Sequence, residues 1–224
     1  MNETILQTEL LDGRSVVDVR RAARLLHNNG IAAFPTDTVY GLGALVWNAA
    51  SVARLYEAKE RSLERAIPVL IANMQQLWLL GVELTDQLHA LAQRFWPGPL
   101  TLVVPCGPQV PDVVTAGTGT VAVRIPAHRV ALHLIELAGQ PLAVTSANLS
   151  AQGSLLTAQD VLAQLAGRID VVLDDGACPG GVPSTVLDLT QSPARILREG
   201  PITADLLAPF LSVIGPEPHG QGVA

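Results

Sequence analysis

The chain has 224 residues, 49% of them hydrophobic and 15% charged, with a formal net charge of −6. Domains commonly run to roughly 100–200 residues, and about 70% of the unfolded surface is removable at this size, so one domain with a sizeable core is expected. The acidic balance excludes a protein that coats nucleic acid non-specifically, which needs surplus cations to release counterions from phosphates.

In chain order, the first ten residues, MNETILQTEL, have no basic segment and no long apolar run, so no secretory leader is expected. Ser15 opens SVVDVRRAARLLHNNG with Asp18 three residues on, a capping-box arrangement, and Gly30 is placed to end the helix. Val16, Val19, Ala23 and Leu26 share its apolar face. IAAF reads as a buried strand, NAASVARLYEAKE as a helix, IPVLIA as a strand and TDQLHALAQRF as a helix capped by Thr85. LTLVVP and TVAVRIP read as strands, HRVALHLIELAG as a helix closed by Gly139, and PLAVTS as a strand. TAQDVLAQLAG is a helix with a Thr157/Asp160 capping pair; IDVVLDDG, STVLDL and ARILRE are strands, and ITADLLAPFL is the last helix.

This alternation predicts a single α/β domain over residues 1–212, an open twisted mixed sheet with flanking helices, and a mobile tail over 213–224. No run of about 18 apolar residues predicts a membrane span. The two cysteines, Cys106 and Cys178, are far apart and lack metal-ligand spacing, so buried thiols in a cytoplasmic protein are expected.

Several known chemistries are excluded. Lys59, the only lysine, has no Walker glycines before it. GTGTVA (117–122) carries the dinucleotide-fingerprint letters but precedes a strand, so the helix N-terminus that would hold a pyrophosphate is missing. No G-x-S-x-G surrounds any serine, no H-E-x-x-H surrounds any histidine, and DDG (174–176) reads as a turn before a metal site.

What remains is a set of strand ends dense in hydroxyls and cations: PTDTVYG, KER, WPGPLT, TVAVRIP, TSANLS, STVLD and RILREG. Ligands of α/β sheets gather beyond strand ends, and hydroxyls, lysine and arginine forks suit phosphate and carboxylate oxygens. The pattern points to binding of something anionic without a protein nucleophile. Each residue also has a purely structural reading. Lys59 and Arg61 would complement a helix C-terminus, Arg124 would be an internal salt bridge, and Thr145, Ser146 and Asn148 a hydrogen-bonded turn. Arg195 and Arg198 would belong to a half-exposed strand, and Tyr40 would pack.

Taken together, FPTDTVYGLG, the K-x-R of KER, PGPLT, VAVRIP, TSANLS and STVLD occur in the order seen in YrdC-type threonylcarbamoyl-adenylate synthases, and the chain resembles that family over about residues 30–200. The resemblance implies a concave, positively charged sheet face. It also implies synthesis of threonylcarbamoyl-AMP and pyrophosphate from L-threonine, bicarbonate or carbon dioxide, and ATP with Mg²⁺. Partner proteins would then pass the threonylcarbamoyl group to tRNA, with no membrane or DNA involved. It implies that Thr36, Arg124 and the backbone at Val144 hold threonine. Lys59, Arg61, Thr120, Ser146, Asn148, Ser154 and Arg198 would hold ATP, with no catalytic side chain and Mg²⁺ carried mainly by ATP. Ser184 matches the S-T-V segment without an assigned role. The chain resembles the short, single-domain form and departs from the pattern at Ser62, where proline often follows K-x-R. Two rivals stay open: a paralogue adenylating another carbamate, and a non-catalytic RNA-binding module.

Overall fold

The computed structural model describes residues 6–60, 62, 65–150 and 152–216. Their centre is an eleven-stranded mixed sheet with the order β1-β8-β2-β3-β7-β4-β6-β5-β9-β10-β11. The strands are β1 (Glu9–Asp12), β2 (Ala32–Phe34), β3 (Gly41–Leu45), β4 (Val69–Leu70), β5 (Leu100–Pro105), β6 (Thr120–Arg124), β7 (Leu142–Ser146), β8 (Val171–Asp174), β9 (Thr185–Asp188), β10 (Ala194–Arg198) and β11 (Val213–Ile214). The helices are α1 (Val16–His27), α2 (Ala49–Lys59), α3 (Gln76–Leu79), α4 (Asp86–Phe95), α5 (Asp112–Thr115), α6 (Arg129–Ala138), α7 (Ala158–Leu165) and α8 (Ala204–Leu207). Pairing is parallel at β1/β8 and β5/β9, for example, and antiparallel at β2/β3 and β5/β6.

The caps explain several boundaries. Ser15 Oγ accepts from the Asp18 N–H, Thr85 Oγ1 from Leu88, and Thr157 Oγ1 from Asp160 while donating to the Asp160 carboxylate at 2.6 Å. Two details of α1 differ from the sequence expectation. The left-handed residue that ends it is Asn29, with φ of 63°, and Gly30 follows, donating its N–H to Leu25 O at 2.8 Å. Glycine is needed there for space, since a Cβ would fall 2.6 Å from that same oxygen. Val16 is solvent-exposed, and the buried face is Val19, Ala22, Ala23 and Leu26. The folded part also passes the expected boundary at 212, because Val213–Ile214 pairs with β10. Residues 217–224 of the expected tail lie outside the described residues.

Two apolar layers sandwich the sheet unequally. On one face α2, α4, α7 and the short helices pack over strands from β2 through β10, through residues such as Leu55, Leu91, Val161, Leu102, Val123 and Leu187. On the other face, among the described residues, only the helices α1 and α6 contribute, covering Ala32, Phe34, Leu45, Leu70, Leu142, Val144, Val171 and Leu173. No residue of β5, β6, β9 or β10 belongs to that second layer. Side chains alternate along a strand, so the residues between the buried ones on these four strands face outward from an uncovered half of the sheet. That uncovered half is the floor of the site.

Candidate functional site: a polar cleft on the uncovered sheet face

The cleft has a volume of about 560 Å³. Its floor is Thr120, Ala122 and Arg124 of β6, Thr101 and Val103 of β5, Val186 of β9 with Ser184 just before it, and Leu197 and Arg198 of β10. Thr36, Thr38, Val144, Ser146, Asn148 and Ser154 contribute to its walls. Of the described residues implied to bind ligand, all but Lys59 are therefore brought together. Arg61 lies outside the described residues.

Register sets the spacing of the two cleft arginines. Thr101 pairs with Val186 and Val186 with Arg198; the β5/β6 register, with Leu102 opposite Val123, puts Arg124 beside Thr101. Arg124 and Arg198 thus end one transverse row three strand spacings long, roughly 14 Å between Cα positions. A bulge places Arg198 there. Ile196 is opposite Leu187 and Arg198 opposite Val186, so Leu197 is the additional residue and Arg198 turns away from the Ile196 side.

Arg198 is held by Ser184, its Nε donating to Ser184 O (3.0 Å) and Nη2 to Ser184 Oγ (3.1 Å). The Ser184 hydroxyl also meets Thr101 Oγ1 at 2.8 Å. Among the described residues Arg198 has no carboxylate partner; its side chain is open to solvent, yet partial desolvation in the cleft and then the charge of Arg124 pull its guanidinium below its ordinary range. A cation left this way favours an incoming anion.

Arg124 takes the internal salt bridge, with Asp37, and its Nη1 donates to Thr38 Oγ1 at 3.2 Å. Burial lowers its pKa while Asp37 opposes that shift. Asp37 is the main residue that reading the sequence passed over; an aspartate in the same loop as two threonines, with a buried arginine elsewhere, was the available signal. Thr36 lines the cleft, yet its hydroxyl is committed inside the loop, donating to Val39 O (2.6 Å) and accepting from the Thr38 and Val39 N–H groups. Val144 lines the cleft too, but its N–H is donated to Pro68 O at 2.7 Å.

Lys59 departs from the phosphate-facing position that was expected. It is 2% exposed at the end of α2, and its Nζ donates to the carbonyls of Ser146 and Asn148, with Asn148 Oδ1 at 3.5 Å. Its own carbonyl accepts the Ser150 N–H at 3.0 Å. The lysine therefore ties α2 to the TSANLS loop from beneath. Asn148 lines the cleft while its Nδ2 donates to Leu149 O and Gln152 O, so a hydrogen-bonded turn forms there.

Other polar groups are structural. Tyr40 is buried, its hydroxyl donating to Gly176 O at 3.0 Å and its pKa pushed up by burial. Asp174 Oδ1 accepts the Gly176 N–H, closing the DDG turn. Burial pushes the Cys178 thiol up to about 11 and raises Cys106, so neither is a thiolate at neutral pH. Among the described residues no group of three or more His, Cys, Asp or Glu is placed to hold a metal, and no helix is long and apolar enough to cross a membrane.

Comparison with known proteins gives the lineage. The Sua5/YciO/YrdC family model, described as telomere recombination, matches residues 24–200. This chain belongs to that family. It is 42% identical over 204 residues to the threonylcarbamoyl-AMP synthase of Pyrococcus abyssi, covering 91% of this chain and 60% of that protein. It is 44% identical over 207 residues to the threonylcarbamoyl-AMP synthase of Bacillus subtilis, covering 92% of this chain and 59% of that protein. The chain thus spans about 60% of the length of these relatives. The crystal structure of P. abyssi Sua5 complexed with L-threonine superposes with a TM-score of 0.86 at 40% identity, covering 94% of this chain and 63% of that one. The Sua5-like mixed sheet with flanking helices is the fold expected from the sequence.

Proposed function

We propose that this chain is a threonylcarbamoyl-AMP synthase, combining L-threonine, bicarbonate or carbon dioxide, and ATP into threonylcarbamoyl-AMP and pyrophosphate. The observation that carries the reading is the pair of arginines at opposite ends of one cross-strand row. They lie in a chain 42% and 44% identical to relatives bearing that name. A cleft with two separated anion sites suits two anionic substrates held side by side.

The chemistry asks for no protein nucleophile. The threonine amine takes up carbon dioxide, losing a proton to give a carbamate. A carbamate oxygen then attacks the α-phosphorus of ATP, and the bond to the β-phosphate oxygen breaks to release pyrophosphate. Arg124 would orient the amino acid through its carboxylate. Arg198, fixed by Ser184, would receive phosphate oxygens as negative charge builds on them. Positioning and electrostatic stabilisation are the main protein contributions to such transfers. Thr120, Ser146 and Ser154 would supply hydroxyls along the nucleotide side. Mg²⁺ would enter as the counter-ion of ATP, since magnesium is commonly held by substrate phosphates and water more than by a protein cage. Passage of the product to tRNA through separate transfer proteins in the cytoplasm completes the reading.

The test is pyrophosphate release from ATP with Mg²⁺ and bicarbonate, with L-threonine present, omitted or replaced by L-serine. Release that depends on L-threonine is expected. Threonine-independent release, or none from folded protein that binds ATP, overturns the assignment and favours a paralogue acting on another carbamate.

A further inference from the structure

The loop at residues 35–39 is organised around one side chain. Arg124 donates through Nη1 to Thr38 and through Nη2 to Asp37 Oδ1. The Thr36 O–H is already given to Val39 O at 2.6 Å, so the 2.9 Å contact between the Thr36 and Thr38 hydroxyls has Thr38 as donor. A directed chain therefore runs from Arg124 through Thr38 and Thr36 to the Val39 carbonyl. Asp37 Oδ1 also accepts the Ala127 N–H at 3.0 Å, which ties the loop to the end of β6. From the other side Gly181 donates its N–H to Thr38 O at 2.9 Å, and a Cβ on Gly180 would fall 2.5 Å from Asp37 O. The carboxylate is clamped.

Two buried side-chain atoms without a hydrogen-bond partner belong to this one ion pair: Arg124 Nε and Asp37 Oδ2. Side-on pairing would use that Nε, as Arg21 does with Glu9, donating from Nε at 2.6 Å and Nη2 at 2.9 Å. At Arg124 the Nε–H is enclosed and the pairing with Asp37 runs through Nη2 instead, with Nη1 given to Thr38. Arg124 and Thr38 line the cleft while Asp37 does not, so the carboxylate stands behind the guanidinium and leaves its cleft side open.

We propose that Asp37 is a positioning residue that holds the Arg124 guanidinium against the cleft wall, in the orientation in which it receives an anionic group of the cleft ligand. The identity of that group as the carboxylate of L-threonine rests on the synthase reading; the positioning role rests on the loop itself. Because Asp37 spends the arginine's rotamer freedom before the ligand arrives, the ligand does not have to. Its charge also offsets that of Arg124, leaving Arg198 as the cleft cation with no carboxylate beside it among the described residues.

Asp37→Asn keeps an acceptor for the Ala127 N–H and removes the charge, and Asp37→Glu keeps the charge. On the full chain, titration calorimetry with L-threonine and separately with ATP·Mg²⁺ reads the two ends of the cleft, and thermal melting certifies folding. Asp37→Asn is expected to weaken L-threonine binding at least tenfold and leave ATP within twofold, with Asp37→Glu in between. On an Arg124→Lys background the same Asp37→Asn change is expected to add less than twofold, because its effect passes through Arg124. Unchanged or tighter threonine binding in Asp37→Asn overturns the proposal, as does an equal loss for both ligands or full additivity with Arg124→Lys. Wild-type protein that binds no L-threonine refutes the synthase reading instead. The thermal shift of Asp37→Asn on adding sodium acetate, compared with wild type, then reads the arginine's orientation alone, and an identical shift in both proteins overturns the positioning role.

Discussion

Replacing Lys59 by methionine separates a structural clamp from a phosphate ligand. Methionine keeps most of the apolar stem and removes the ammonium, leaving the part-buried carbonyl of Ser146 and the buried carbonyl of Asn148 without the donor they now share. Each such loss costs about 1–3 kcal/mol. Part is recovered because a buried charge no longer has to be desolvated. The net destabilisation works out at about 2–4 kcal/mol. At about 2–4 °C per kcal/mol for a domain of this size, the melting temperature should fall by about 4–16 °C. Urea unfolding of wild type and Lys59→Met, with ATP titrated into the same samples, makes the comparison. A loss of stability with weakened ATP binding is expected, since the loop carrying Ser146 loses its anchor. Stability within about 0.5 kcal/mol of wild type, with ATP binding abolished, would refute the clamp and make Lys59 a direct phosphate ligand.

Gly200→Ala should be strongly destabilising, by about 2–3 kcal/mol, because the new Cβ would sit 2.4 Å from Thr185 N and 2.6 Å from Pro183 O, backbone atoms that cannot rotate away. Gly153→Ala, with nothing within 4 Å of the added carbon, should stay within about 0.5 kcal/mol in the same melting experiment; equal effects would contradict the packing argument. For pH, the folded-state pKa of Cys178 is raised, so the folded chain keeps a proton that the unfolded chain releases. That contribution is complete below the ordinary thiol value of 9.0 and is lost as pH rises toward about 11. Urea midpoints measured across that window should decline less steeply in Cys178→Ala, and parallel declines would discard the assignment.

Local signals made most of the fold legible. Ser15, Thr85 and Thr157 are caps whose geometry depends only on their near neighbours, and each helix begins where they predict. Strand β3 was missed for the opposite reason. Its GLGAL has two glycines on one face, which reads as loop, and they are there because Phe34 and Val144 cross that face. A Cβ on Gly41 would meet Val144 Cγ1 at 2.8 Å, and one on Gly43 would meet Phe34 Cε1 at 3.0 Å. Neither neighbour adjoins them in sequence. The half-exposed edge strand β1 and the single-turn helices α3 and α5 carry too little periodic pattern to be read.

The site divides along the same line. The amino-acid sequence by itself determined which loops are polar, that arginine must do most of the cationic work, and which family the motif order resembles. It left Arg124 poised between an ion pair and a ligand contact, and Lys59 between a helix end and a phosphate. Tertiary structure gave each its internal partners, Asp37 for Arg124 and the Ser146 and Asn148 carbonyls for Lys59, because a buried charge must be paired and its partner is chosen by which elements are neighbours. Asp37 lies 87 residues from Arg124 in sequence, and the Asn148 carbonyl 89 from Lys59. Arg198 shows the point most directly. Plain alternation from Ile196 sends it to the core side of β10, and one bulge at Leu197 turns it into the cleft. A one-residue shift in pairing reverses the face of a side chain, and pairing is a property of the sheet, not of the strand that carries the residue.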